Sequence, residues 1–390
     1  MKLEYSEEKH KVKRGITMKV EEEINKEHTF EQIPHFEEAH EVENPGKQLQ
    51  LIKEVVPSFK SWFKETGMAS AFHSFDLIKI PYPTKYGLWR AGKSPVPFIW
   101  FTNRLFIVQW EAKGRTWTLL NEPTETELAE GTPFYTELME KYGEKLGKSY
   151  LSKTYGTVEG YLKKVGLKPE DIDYITYDHL HTQDIRRWLG TTTPQADLSP
   201  NEPVKPYFPN AKLIVQQKEW DILPCLHPLQ TMWYQPEVYD DIPLDKIMFT
   251  KGDILLGPGV AIMWTPGHSQ GNQSLVVNTN TGIWVSSENA ISAECMAPEH
   301  SKIPGLKQYA KHTKYEVIIN GNTLENTSRQ YNSVIQEKLM ADPSTKDSRF
   351  PQFFPSSELT PSLLAVGTKP SFMHKKVAYG VIKRPDGTRT

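Results

Sequence analysis

The chain carries only two cysteines in 390 residues, Cys225 and Cys295. Two thiols so far apart make no disulfide framework. Both read as structural thiols in a reducing compartment, which makes the cytoplasm the expected location. A run of about 18 apolar residues is also missing, so no membrane span is expected. The opening MKLEYSEEKHKVKR has no apolar core, so export through a signal peptide is not expected either. An excess of charge of either sign is lacking: 46 Lys and Arg against 48 Asp and Glu leave a net charge of −2. With no basic stripe, nucleic acid and anionic membrane are poor candidates as partners. A small-molecule substrate remains, with homo-oligomerisation left open. No internal repeat or low-complexity tract occurs.

What is present is a hydrophobic fraction of 38%, enough for a sizeable core. Three regions differ in texture. Residues 1–68 form a charged, partly helical N-terminal extension. Its histidines His10, His28, His35 and His40 read as solvated, and its one strong signal is an amphipathic helix over 48–64. Residues 69–340 form the main domain. It opens with β-rich segments FDLIKIPYP, PFIWFTN, RLFIVQW and TWTLLNEP, the last two joined at Lys113-Gly114 as a hairpin. Strands then alternate with helices: IDYITY, KLIVQQKEW, VAIMW, QSLVV, GIWVS and YEVIIN, closed by the helix LENTSRQYNSVIQEKLM. An all-β start followed by this alternation implies an α/β layered sandwich. Residues 341–390 are a Pro- and Ser-rich tail whose Phe350, Phe353 and Phe354 argue for docking on the core.

Four polar loops follow predicted strands, the position at which α/β sheets collect ligands. The first is His179-Leu180-His181-Thr182-Gln183-Asp184. Two histidines two residues apart on an extended loop can face one point while Leu180 faces the core. The second, Thr265-Pro266-Gly267-His268-Ser269-Gln270-Gly271-Asn272, wraps glycines around His268. The third carries Glu288 and the fourth Asn322. Three neutral imidazoles on a tetrahedral ion leave one position open for water. Asp184 reads either as a metal or acid–base group or as the cap of the helix DIRRWLG. Glu288 reads as a second-metal ligand or a hydrogen-bonded strand-end carboxylate. Further along, the loop from Cys225 to Tyr234 has the position of a lid, and Pro81–Arg90 that of a substrate mouth.

In this order the segments GLKPEDIDYITYDHLHTQD, YFPNAKLIVQQKEW, WTPGHSQGNQSLVV, WVSSENA and VIINGN resemble the metallo-β-lactamase superfamily over residues 72–335. The resemblance implies a four-layer αββα sandwich, with the N-terminal extension and irregular C-terminal tail outside it. It also implies metal on His179, His181 and His268, with Asp184 and Glu288 as further ligands. The family's leading motif, His-x-His-x-Asp-His, departs here: Gln183 stands for Asp and Asp184 for the second His. Glu288 replaces the bridging Asp, and Asn322 the last His. The first metal site is thus intact and the second altered. Zinc is the implied cofactor, as one or two ions, with Fe or Mn suited to an oxygen-rich second site.

The function expected on this basis is a metallohydrolase, using a metal-activated water on an ester- or lactone-like carbonyl. Asp184 acts as the catalytic group, and Gln183, Asn322 and Arg187 as second-site or substrate contacts. The alternative is a catalytically degenerate member of the fold that binds a ligand or partner. Metal content separates the two.

Overall fold

The computed structural model describes residues 30–143, 152–322 and 326–389. The first 29 residues of the expected extension, with His10 and His28, lie outside them. Two sheets dominate. One has five strands in the order Glu31–Gln32, Ile254–Gly257, Val260–Trp264, Gln273–Thr279, Gly282–Ser286, all antiparallel. The other runs Ile247–Thr250, Lys212–Gln216, Tyr174–Thr176, Arg115–Asn121, Phe98–Ala112, Ala71–Pro83, Ala378–Gly380, with two short strands, Lys153–Thr154 and Ser357–Leu359, paired beside this path. Its first four strands are parallel to one another.

Side-chain parity shows how the sheets stack. One buried cluster takes Phe106, Val108, Leu119, Tyr174, Ile214 and Met248 from the larger sheet and Ile262, Leu275, Val277 and Trp284 from the smaller. These are alternate residues on each strand, so they fill the space between two facing sheets. The intervening residues belong to a second cluster, together with helix side chains: Ile107, Leu120, Ile175 and Leu213 on one sheet, Ala261, Met263, Val276 and Ile283 on the other. Each sheet therefore buries both faces, the inner against its partner and the outer against helices. The order of layers is α, β, β, α.

Local chemistry accounts for the elements. Lys113 (φ 52) and Gly114 (φ 76) both occupy the left-handed region, as a two-residue hairpin turn requires, and join Phe98–Ala112 to Arg115–Asn121. The helix Pro45–Glu65 starts with the Asn44 side chain accepting from the Lys47 amide at 3.0 Å and Pro45 in the first turn. It buries Ile52, Val56, Phe59 and Phe63 at spacings of three and four. Lys60 and Lys64 both pair with Asp342, at 2.9 Å each, just past the helix Thr327–Met340. The N-terminal region is thus built into the sandwich: Glu31–Gln32 extends the smaller sheet beside Ile254–Leu255.

Four expectations need correction. PFIWFTN and RLFIVQW form one strand of 15 residues, because Arg104 is buried in mid-strand by ion pairs with Asp76 and Glu358. YEVIIN forms no ladder; Val317, Ile318 and Ile319 are buried, but their backbone bonds single carbonyls, such as Ile318 N–H to Cys295 O at 2.8 Å. His35 and His40 are half-buried rather than solvated, His35 against Phe59 and Trp62 and His40 against Trp264 beside Asp253. The amphipathic helix begins three residues earlier than its apolar pattern, where the Asn44 cap sets the start.

Candidate metal centre

In the parallel part of the larger sheet, Asn121, Thr176 and Ile214 are register neighbours. The first two strands therefore end level and the third runs two residues on to Gln216; the segments after them carry Glu122, Asp178 to Asp184, and Glu219. From the facing sheet, Trp264 and Ser286 end their strands and lead to His268 and Glu288. The expected strand-end loops meet at one edge of the sandwich.

His179, His181 and His268 come together there. One ring nitrogen from each lies within 4.8 Å of the others, and their ring centroids are 4.4, 4.4 and 5.0 Å apart. All three are buried. Burial, followed by the neighbouring imidazoles, holds His179 and His181 well below the usual histidine range, and burial takes His268 down to about 4 against the pull of the Asn320 carbonyl. The rings are neutral, the form that ligates metal. Their outward nitrogens are held: His181 Nε2 lies 2.7 Å from Gln230 Oε1 and His268 Nδ1 lies 3.4 Å from Asn320 O. Such contacts fix ring orientation in metal sites. His181 Nδ1 faces His268 Nε2 at 3.3 Å, and the buried Nδ1 of His179 has no hydrogen-bond partner. A cluster of neutral imidazoles facing one another around an unsatisfied nitrogen fits a divalent ion of the zinc type.

One residue that sequence reasoning missed ties the loops together. Glu219 is fully buried on the helix Gln217–Ile222. Its Oε1 accepts from the Leu180 amide at 2.8 Å and the Tyr234 hydroxyl at 2.6 Å; its Oε2 accepts from the Ser269 hydroxyl at 2.6 Å and the Gly271 amide at 3.2 Å. Leu180 sits between two of the histidines and Ser269 follows the third. Burial raises the Glu219 carboxyl, and the four donors oppose that rise. Gly271 is required: a Cβ there would lie 2.2 Å from the Glu219 amide nitrogen. Gly267, at φ 149, has the backbone of Gln330 2.2 Å from where a Cβ would stand. Only the KEW tripeptide after a predicted strand hinted at Glu219, and it reads equally well as a solvated helix face.

The remaining expected residues divide. Glu288 is half-buried and lines a cleft together with His181 and His268. Burial, then the nearby Asp178, pushes its carboxyl up to about 8, against a hydrogen bond from Ser357. Asn322 Nδ2 lies 3.4 Å from His268 Nε2. Gln183 lines the cleft and donates to the Thr124 hydroxyl at 3.2 Å. Asp184 is otherwise engaged: Oδ1 accepts from the Arg186 amide at 3.0 Å and Oδ2 from its Nη2 at 2.6 Å, and Arg186 also reaches Asp197. The residue at the cap position of the helix Arg186–Leu189 is Ile185, and Asp184 precedes it. Arg187 pairs with Glu125 at 2.6 Å and is not on the cleft wall.

The cleft encloses about 940 Å³ including its mouth. Its lining includes the polar His181, His268, Glu288 and Asn322 and the apolar Ile78, Ile80, Phe101, Leu138, Met139 and Trp233. Trp233 comes from the expected lid loop, and Pro81 and Tyr82 from the expected mouth. Among the described residues, no Lys or Arg lines it.

No family model matches the sequence. Over 120 residues it is 32% identical to an N-acyl homoserine lactonase of Bacillus cereus, and over 118 residues 33% identical to N-acyl homoserine lactonase AiiA of Bacillus thuringiensis subsp. kurstaki. Both matches cover 30% of this chain and 38% of the relative, so the match spans under two-fifths of the length of these proteins. Among solved structures, a probable metal-dependent hydrolase from Staphylococcus aureus aligns with 14% identity and a TM-score of 0.46, over 68% of this chain and 82% of that one. The hydrolase AbOPH, described as in the beta lactamase superfamily, aligns with 13% identity and a TM-score of 0.41, over 82% and 99%.

Proposed function

We propose that this chain is a metal-dependent hydrolase of the metallo-β-lactamase fold that opens a neutral lactone or ester carrying an apolar tail. One observation carries this reading: three buried imidazoles converge on one point, and two of them, His181 and His268, line a cleft that also presents Ile78, Ile80, Phe101, Leu138, Met139 and Trp233. The local similarity to N-acyl homoserine lactonases supports the lactone as the first substrate class to test.

His179, His181 and His268 would hold the ion, and zinc suits this donor set. When bound, such an ion supplies Lewis-acid polarisation of a carbonyl and acidifies water. The chain's own residues do the rest. Gln230 and the Asn320 carbonyl hold two of the rings in place. The apolar wall seats the tail and excludes water from it. Glu288 would be the carboxyl that passes a proton to the departing oxygen, a role its presence in the cleft lining with His181 and His268 supports. Asp184 holds the histidine loop to the following helix through Arg186.

The test is a panel of acyl lactones, carboxylic esters and phosphodiesters with zinc-loaded protein. Lactone or ester turnover that disappears on chelation supports the reading; turnover of phosphodiesters alone contradicts it. A protein that binds no metal and turns over nothing is the degenerate binding module instead.

A further inference from the structure

The tail after Met340 joins the two sheets at the edge where the site lies. Val285, on the smaller sheet, donates to Gln352 O at 3.0 Å and accepts from the Phe354 amide at 2.9 Å. Three residues on, Ser357–Leu359 pairs antiparallel with Phe101–Asn103 of the larger sheet. Glu358 then locks this register by pairing with the buried Arg104 at 2.8 Å. Ser356 lies just before the second attachment and Ser357 opens it, and both are buried. The Ser356 hydroxyl donates to Asp178 Oδ2 at 2.6 Å. Ser357 accepts from Asn103 Nδ2 at 3.4 Å and lines the cleft together with Glu288, where its hydroxyl opposes the rise of the Glu288 carboxyl.

Asp178 is buried and Glu288 half-buried on the cleft wall; two adjacent serines of the tail meet them, Ser356 by its bond to Asp178 and Ser357 on the same stretch of wall as Glu288. We propose that Ser356 and Ser357 are positioning residues of the hydrolase site, so that the C-terminal segment is an integral part of that site rather than a cover. Ser357 fixes the direction in which Glu288 faces the cleft. Ser356 holds Asp178, the residue preceding the first histidine, in its loop. The proposal rests on the hydrolase reading given above.

The experiment compares full-length wild type with Ser357→Ala, Ser356→Ala and Ser357→Thr, each loaded with cobalt(II), by lactone kinetics, metal content and visible spectrum. Ser357→Ala should lower kcat about tenfold, the loss of one buried hydrogen bond of about 1.4 kcal/mol, with KM within about twofold. One cobalt per chain should remain, with a changed d–d envelope because the carboxyl beside the metal has moved. Ser357→Thr, which keeps the hydroxyl, should recover most of kcat. Ser356→Ala should alter the spectrum in the same way. Unchanged kcat and spectrum in both alanine variants would overturn the proposal, as would cobalt content falling in step with activity. If wild type bound cobalt but turned over nothing, the hydrolase reading would fail by itself, and the variants' spectra would still decide the role of the tail: altered supports it, identical overturns it.

Discussion

Replacing Glu219 by alanine removes one carboxylate that accepts four hydrogen bonds from three segments of chain. The Tyr234 and Ser269 hydroxyls can rotate toward other acceptors. The amides of Leu180 and Gly271 cannot, and each becomes a buried, unsatisfied donor. At about 1–3 kcal/mol for each such group, the loss is about 2–6 kcal/mol, a large part of the 5–15 kcal/mol typical of a folded domain. Removing a buried charge offsets some of this, since burial already disfavours the ionised carboxyl. The damage falls on the loops of all three histidines, so zinc affinity should drop about 10–100-fold, the usual effect of losing an outer-shell contact. Urea unfolding of the metal-free protein measures the first effect, and competition with a chromophoric chelator the second. Glu219→Gln should lie between, because it keeps one acceptor but turns an amide toward two donors. An alanine variant with wild-type midpoint and wild-type affinity would refute the clamp. One that is destabilised yet binds zinc as tightly as wild type would refute the link between clamp and metal.

Other outcomes follow from the same geometry. Gln230→Leu removes the acceptor from His181 Nε2 and should weaken zinc binding about tenfold, measured by the same competition, while leaving the fold intact. Asp342→Asn should destabilise the protein by about 1–3 kcal/mol at neutral pH, since Asp342 holds Lys60 and Lys64 across two helices. Burial alone would raise the Asp342 carboxyl, but the lysines and the Ile283 amide outweigh it and leave the carboxyl below its usual value. Its contribution is therefore present above the unfolded carboxylate range and lost as pH falls through the lower folded value. Urea midpoints of wild type and variant should converge in acid; a gap independent of pH would contradict this. Among esters matched in tail length, neutral ones should exceed those bearing an added carboxylate in kcat/KM, because Glu130 lines the cleft and no described Lys or Arg does. A preference for the anionic members would count against that reading of the wall.

The histidines were legible because ligand geometry writes itself into short spacings: two rings two residues apart, and a third between glycines. The hairpin at Lys113-Gly114 was legible for a similar reason, since its turn needs two left-handed residues in succession. Long-range partners left no such mark. Glu219 lies 39 residues from Leu180 and 50 from Ser269, and its helix looks ordinary in sequence. Ser356 and Ser357 belong to a Pro- and Ser-rich tail whose composition suggests loose coil, yet the backbone of that tail is fixed by ladder contacts to both sheets. Asp184 shows the opposite effect. Its motif position pointed to metal or acid–base work, while the adjacent Arg186, two residues on, occupies both of its oxygens. The strand expected at YEVIIN had the right apolar run, but its amides find isolated carbonyls, Ile318 that of Cys295 and Asn320 that of Asn289.

The central claim is that His179, His181 and His268 together grip an ion. Inductively coupled plasma mass spectrometry on protein purified without added metal, for wild type beside His179→Ala, His181→Ala and His268→Ala, addresses it directly. The account predicts about one zinc per chain in wild type and loss of most of it, to below about 0.1, in each variant. A metal-free wild type, or variants that keep the full complement, would contradict it.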